Sequence, residues 1–156
     1  RQRTEVSGVE VSADYRFSEA LALGANYART EGEFDSDGDG TVDSDLDGLN
    51  IGPNRFNLYV DGTLREGFRY RVQLAHLEDR TFDGPGAPAD ADFDGYVLVD
   101  AFVAWATVAG EFSLGVDNLL NEDYFTYFAQ TEPSQRNDTF FKGPGRTLSL
   151  GWRYQL

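Results

Sequence analysis

Residues 35–48 read DSDGDGTVDSDLDG. Asp35, Asp37, Asp39, Gly40 and Asp43 fall at positions 1, 3, 5, 6 and 9 of an EF-hand calcium loop. Carboxylate oxygens at that spacing can wrap a Ca²⁺, with the backbone carbonyl of Thr41 at position 7 and Gly40 making the turn. Position 12 of such a loop supplies a bidentate Glu, and here it is Leu46. Asp45 or Asp47 can substitute only with altered geometry. The competing reading is a solvated acidic loop whose Asp-Gly pairs form turns. Both stay open at this stage: Ca²⁺ in the 35–47 loop, or a bare tip. Either way the loop tunes structure and does not react.

A second group able to engage a ligand is aromatic. Tyr124, Phe125, Tyr127, Phe128, Phe140 and Phe141 stand in an otherwise polar segment. Such rings can stack on a planar or catechol-like ligand, or they can pack the segment onto its neighbours.

Composition removes most other chemistry. The net charge of −14, from 13 Lys and Arg against 27 Asp and Glu, argues against nucleic acid and phosphate ligands. With no Cys there is no disulfide, zinc-finger pattern or thiol nucleophile. His76 is the single histidine, so His-rich metal sites are excluded and a Ser/His/Asp triad is disfavoured. No phosphate loop, dinucleotide fingerprint or nucleophile elbow occurs, and no carboxylate pair is marked by spacing as an acid/base couple. The chain is not expected to be an enzyme. It starts at Arg1 without an initiator Met or a signal-peptide pattern, which predicts a piece of a longer protein or a processed one.

The elements that must position these residues are strands. Period-2 alternation recurs seven times, in GVEVSADYRF, LALGANYA, RFNLYVDGTL, FRYRVQLAH, VLVDAFVAW, EFSLGVDN and RTLSLGWRYQL. In the last, Leu148, Leu150, Trp152, Tyr154 and Leu156 share one face, with Arg146, Ser149, Gly151, Arg153 and Gln155 between them. Links near 18–20, 65–67 and 109–110 are short, whereas those at 31–53, 79–95 and 118–145 are long. Short links make antiparallel hairpins, so all short turns lie at one end of the sheet and all long loops at the other.

A soluble sandwich also alternates, but it mixes loop lengths at both ends. Here the polar face carries Arg16, Asp61, Arg71, Asp100 and Arg153 in mid-strand and must be wet. A transmembrane β-barrel accounts for both features, with short periplasmic turns, long extracellular loops and aromatic girdles. Tyr15, Phe17, Phe68, Tyr70, Trp152 and Tyr154 stand at the short-turn side, where one girdle belongs. The predicted fold is therefore all-β: an antiparallel up-and-down transmembrane barrel segment of about seven strands. Seven strands alone would leave two unpaired edges in lipid, so further strands upstream are expected and the segment is part of a larger barrel.

The residues then resemble a family. Asn118-Leu119-Leu120-Asn121 with Tyr124, followed by Gly145-Arg146-Thr147-Leu148, resembles the C-terminal end of TonB-dependent outer-membrane receptors. Asn50–Leu58 and Phe93–Asp100 are similar to segments of the ferric-siderophore receptors within it. The likeness runs from about Val9 to Leu156, although the family usually ends on an aromatic. It implies that residues 1–156 are the C-terminal part of a barrel of about 22 strands plugged by a separate N-terminal domain, absent here, that contacts TonB. It further implies uptake of a ferric siderophore across the bacterial outer membrane, with lipid around the barrel. On this reading Tyr124, Phe125, Tyr127, Phe128, Arg55 and Arg71 are the ligand-binding candidates. Arg55, Arg69, Arg71 and Arg153 either attract an anionic ferric complex or pair with Asp14, Asp61 and Asp100 on the inner wall. Two alternatives differ in class: a small passive outer-membrane barrel or pore, and a secreted calcium-stabilised β-domain acting as an adhesin.

Overall fold

The computed structural model describes residues 2–87, 92–131 and 141–154; Phe140 and Leu156 lie outside them. The strands are β1 (Thr4–Ser18), β2 (Leu21–Phe34), β3 (Ser44–Asp45), β4 (Arg55–Arg65), β5 (Phe68–Leu77), β6 (Tyr96–Thr107), β7 (Gly110–Asp117) and β8 (Thr147–Arg153), with one short helix, α1 (Tyr127–Thr131). They form one antiparallel sheet in the order β1-β2-β4-β5-β6-β7-β8, with β3 added to β2 off that path. The turns at Glu19-Ala20, Glu66-Gly67 and Val108-Ala109 are too short for anything but hairpins of β1–β2, β4–β5 and β6–β7, and β2–β4, β5–β6 and β7–β8 also pair antiparallel although long loops join them. β1 and β8 are the two ends of the sheet.

Pairing register turns the sequence alternation into lateral rows. Phe68, Trp105, Phe112 and Trp152 are successive partners across β5 to β8, followed one level up by Tyr70, Val103, Leu114 and Leu150. The same face carries Leu58, Leu74 and Val99, and it ends in a row of Tyr27, Phe56, His76 and Val97. From Val97 to Trp105 the strand rises about 26 Å, or about 20 Å when tilted as barrel strands are, close to the band such barrels show to hydrocarbon. Among the described residues the one Asp, Glu, Lys or Arg on the outward face within this band is Arg65, at its lower edge in the row of Phe68 and Trp105. The opposite face carries Asp14, Tyr59 and Asp100 along one row and Asp61 and Arg71 along the next.

Two strands run further than alternation of apolar residues alone predicts. β1 starts at Thr4 and β2 continues to Phe34, past the levels of Val9 and Tyr27. Beyond that point the apolar face becomes charged: Arg29, Glu31 and Glu33 on β2 share it with Arg3 and Glu5. The water–lipid boundary is therefore written on the strand itself. One parity expectation needs correcting. Strict alternation along RFNLYVDGTL puts Leu64 on one face with Phe56, Leu58 and Val60, but a register shift between Thr63 and Arg65 makes Leu64 the bulged residue and pairs Arg65 with Phe68.

There is no central core between layers. Among the described residues the buried hydrophobic side chains are Ile51, Phe82, Phe93, Ala104 and Ala129, and all except Ala104 belong to the long-loop end. The face destined for lipid instead leaves Trp105, Phe112, Leu114, Leu150 and Trp152 open.

Candidate functional site

The described parts of the three long loops fold over the polar face at its upper rim. Gly32, on that face of β2, lies against the side chains of Ile51 and Leu46. Tyr96, at the start of β6 on the same face, meets the ring of Phe93 at 5.9 Å and that of Tyr124 at 4.3 Å. Phe93 is 1% exposed and also packs edge-on against Tyr127 at 4.8 Å. Edge-to-face contacts of this kind each add about 0.5–1.5 kcal/mol beyond area burial, so they order the rim.

The aromatic candidates take different parts in it. Tyr127 is structural: its hydroxyl donates to the carbonyl of Ile51 at 2.6 Å, and burial pushes its phenol pKa upward. Tyr124 is half-buried, tilted at 42° to Tyr96, and covers Gly143; burial first, then the charge of Asp100, raises its phenol. Phe125 pairs through its backbone with Lys142 and accepts a hydrogen bond from Gln130. Phe128 is 54% exposed and Phe141 69%, which leaves these two rings available at the surface.

The cations separate by height. Arg55 belongs to the row of Leu77 and Tyr96, and its Nε donates to Asn57 at 3.0 Å. Arg71 lies in the row of Asp61 and Phe102, six residues further down β5 than Leu77, which is about 20 Å along the strand. The fold thus brings Arg55 to the Tyr96–Tyr124 pair and keeps Arg71 away from it. Arg71 stacks 4.3 Å over Tyr59, whose hydroxyl donates to Asp14 across glycine 24, where a side chain would collide with both. The expected pairing of wall arginines with Asp14, Asp61 and Asp100 is not what forms. Among the described residues the wall ion pair is Arg69–Glu111 at 2.5 Å.

Asp100 is committed instead to a corner. Its Oδ2 accepts from Gln73 and its Oδ1 from the backbone N–H of Asn118. Asn118 is 4% exposed, and its side-chain amide donates to the carbonyls of Glu122 and Pro144 while its oxygen accepts from the N–H of Glu122. Asn121 then accepts from the N–H of Arg146. Both asparagines have positive φ, 51° and 57°, a region Asn tolerates better than other side chains. The Asn-Leu-Leu-Asn motif is therefore a turn that ties β6, the exit of β7 and the approach to β8 together.

The acidic loop is ordered by its own backbone. Asp35 accepts from the N–H groups of Gly38 at 2.6 Å and Gly40 at 2.8 Å, where φ values of 83° and 94° suit glycine. Burial works to raise the Asp35 carboxyl, but the N–H groups of Gly40 and Gly38, with those of Asp39 and Asp37, outweigh it and hold it below its ordinary value. Carboxylate oxygens of Asp35, Asp37 and Asp39 come within 4.8 Å of one another. Asp43 turns away to accept from the N–H and hydroxyl of Ser36, which lower its carboxyl in turn. Asp45 accepts from the N–H of Asp83, and Asp47 from Leu49 and Asn50. Neither substitute for the twelfth position points at the cluster's other ligands free of partners. Thr41 donates its N–H to Asp39.

Sequence reasoning missed Phe93, Asp100's role and Arg80. Arg80 Nη1 donates to the carbonyls of Thr30 and Gly52, and its guanidinium covers Phe82 at 5.5 Å. Nothing in its neighbours along the chain marks it.

A family model described as TonB dependent receptor-like, beta-barrel matches residues 2–119. No solved structure matches the chain.

Proposed function

The chain belongs to the TonB-dependent receptor-like β-barrel family, and from that membership we propose that residues 1–156 form the C-terminal part of a receptor barrel importing a ferric siderophore. Members of the family are outer-membrane transporters of small ligands energised through TonB, not enzymes. The finer reading, a ferric siderophore, rests on one observation: Tyr96, packed against Tyr124 at the mouth of the polar face, shares a row with Arg55 through Leu77. Rings that stack and a cation that attracts negative charge suit an anionic iron complex with planar ligand groups. TonB would act through a plug domain outside these residues. Family membership favours this reading over a passive pore or a secreted adhesin.

The test is a titration of the complete receptor with ferric complexes of the catecholate, hydroxamate and carboxylate types, read by quenching of intrinsic fluorescence. Saturable binding of one type supports the reading. Binding of none of them, with uptake of an iron-free ligand instead, refutes it.

The same proposal keeps a Ca²⁺ in the acidic loop, held by Asp35, Asp37 and Asp39, with Thr41 supplying a carbonyl. Asp43 would join only after releasing Ser36. The ion would order the loop and offset repulsion among its carboxylates.

A further inference from the structure

The row Arg65, Phe68, Trp105, Phe112 and Trp152 crosses five strands at the short-turn end of the apolar face. Between its rings, with Leu114 and Leu150 as the floor, lies an open groove of about 470 Å³. That is within the range of small-ligand sites. Two polar groups belong to its Phe68–Trp105 wall. The Arg65 guanidinium is 6.0 Å from the Phe68 ring centroid and 5.8 Å from that of Trp105, so cation–π attraction holds it against these two rings, beside the groove they line. Among the described residues it has no carboxylate partner, although the chain carries a net charge of −14. The Trp105 indole N–H likewise has no acceptor among the described residues, whereas the Trp152 indole donates to the carbonyl of Ala109 at 2.9 Å.

We propose that this groove is a phospholipid site, with the headgroup phosphate on Arg65 and the Trp105 N–H and one acyl chain between the aromatic walls. The occupant follows from the chemistry. A wall so apolar on a lipid-facing surface takes a hydrocarbon chain, and a guanidinium forks onto phosphate with charge-assisted hydrogen bonds. An unpaired cation at the membrane edge of an acidic protein complements an anionic headgroup. Short turns face the periplasm, so the lipid belongs to the periplasmic leaflet. Trp152, latched to the turn before β7, fixes one wall and gives the groove a constant width. The proposal rests on membership of the barrel family and is independent of which ligand is imported.

The test uses the complete receptor in vesicles of phosphatidylglycerol containing a trace of the same lipid with a photoreactive acyl chain. Cross-links are mapped by peptide mass spectrometry. Labelling at Trp105, Phe112 and Trp152 should exceed that at Tyr15 and Phe17, an aromatic pair on β1 more exposed than Trp105 and Phe112, by about fivefold, the factor expected of one cation at a lipid surface. Arg65→Gln should bring groove labelling down to the β1 level and leave β1 unchanged. Equal labelling of the two regions, or groove labelling unaffected by Arg65→Gln, overturns the proposal. So does equally strong labelling by a phosphate-free diacylglycerol with the same chain. If Arg65→Gln fails to fold, as judged by heat-dependent gel mobility, Arg65→Lys replaces it. It keeps the charge but loses the fork, so intermediate labelling supports the site and unchanged labelling refutes it.

Discussion

The backbone N–H of Asn118 donates to Oδ1 of Asp100 at 2.9 Å, joining residues 18 apart in the chain at one corner of the sheet. Asn118 adds three side-chain hydrogen bonds there from a left-handed backbone conformation. Asn118→Ala loses those bonds and strains the backbone, and should destabilise the folded barrel by about 2–4 kcal/mol. Asn118→Gly keeps the backbone at ease and should cost about 1–3 kcal/mol. Urea unfolding of the receptor in detergent measures both. If the two variants match wild type, the motif does not hold the corner.

Ligand affinity should divide the arginines. Arg55→Gln and Tyr124→Ala should each weaken ferric-complex binding by about tenfold, from loss of a charged contact or a stacking partner. Arg71→Gln should change it less than twofold, because Arg71 sits about 20 Å lower along the strand. Equal losses at both arginines in fluorescence titrations would show that the ligand-binding site is not at the rim.

The acidic loop should loosen only in acid. Its carboxylates at Asp35 and Asp43 have folded values below the ordinary carboxylate range. A group depressed in the folded state stabilises it above its unfolded value, near about pH 3.9, and that stabilisation fades as pH falls through the folded value. Hydrogen-exchange protection of the Gly38 and Gly40 amides should stay flat from neutral pH to about pH 5, begin to fall near about pH 4 and be lost as pH drops through the lower folded values. Protection already lost at mildly acidic pH would mean that other contacts order the loop.

Calcium is testable by titration calorimetry of the receptor. A Ca²⁺ held by Asp35, Asp37 and Asp39 should give heat at micromolar to millimolar concentrations, about the span of sensor and extracellular sites. Asp37→Asn should weaken it, since among the described residues the Asp37 carboxylate engages only the N–H of Asp39 and its loss spares the loop's fold. No heat at millimolar calcium ends the idea.

The strands were legible because each separates an apolar set from a polar set at period 2, and register keeps those sets aligned row by row. Height within a row was not. Arg55 and Arg71 share a face by parity, yet only pairing through β5 reveals that different levels of the wall hold them. The loop interior was hidden for another reason. Phe93 is buried by Tyr96 and Tyr127, residues whose proximity depends on how loops far apart in sequence fold over the sheet. β3, only Ser44–Asp45, is too short to alternate, and it exists because β2 and the Asp83–Gly86 segment bracket it. The acidic cluster was readable in its spacing, whereas the commitment of Asp43 to Ser36 was not.

The extension of β1 and β2 past the level of Tyr27 has an electrical consequence. From Tyr27 to Asp35 the chain travels about 26 Å along the strand, or about 20 Å of height when tilted, which is more than twice the screening length of about 8 Å at physiological salt. The aspartates at the tip are thus decoupled from the phosphates of the bilayer beneath them. Their field reaches outward into the medium, where it enriches cations around the approach to the barrel and acts on an arriving solute before the membrane does.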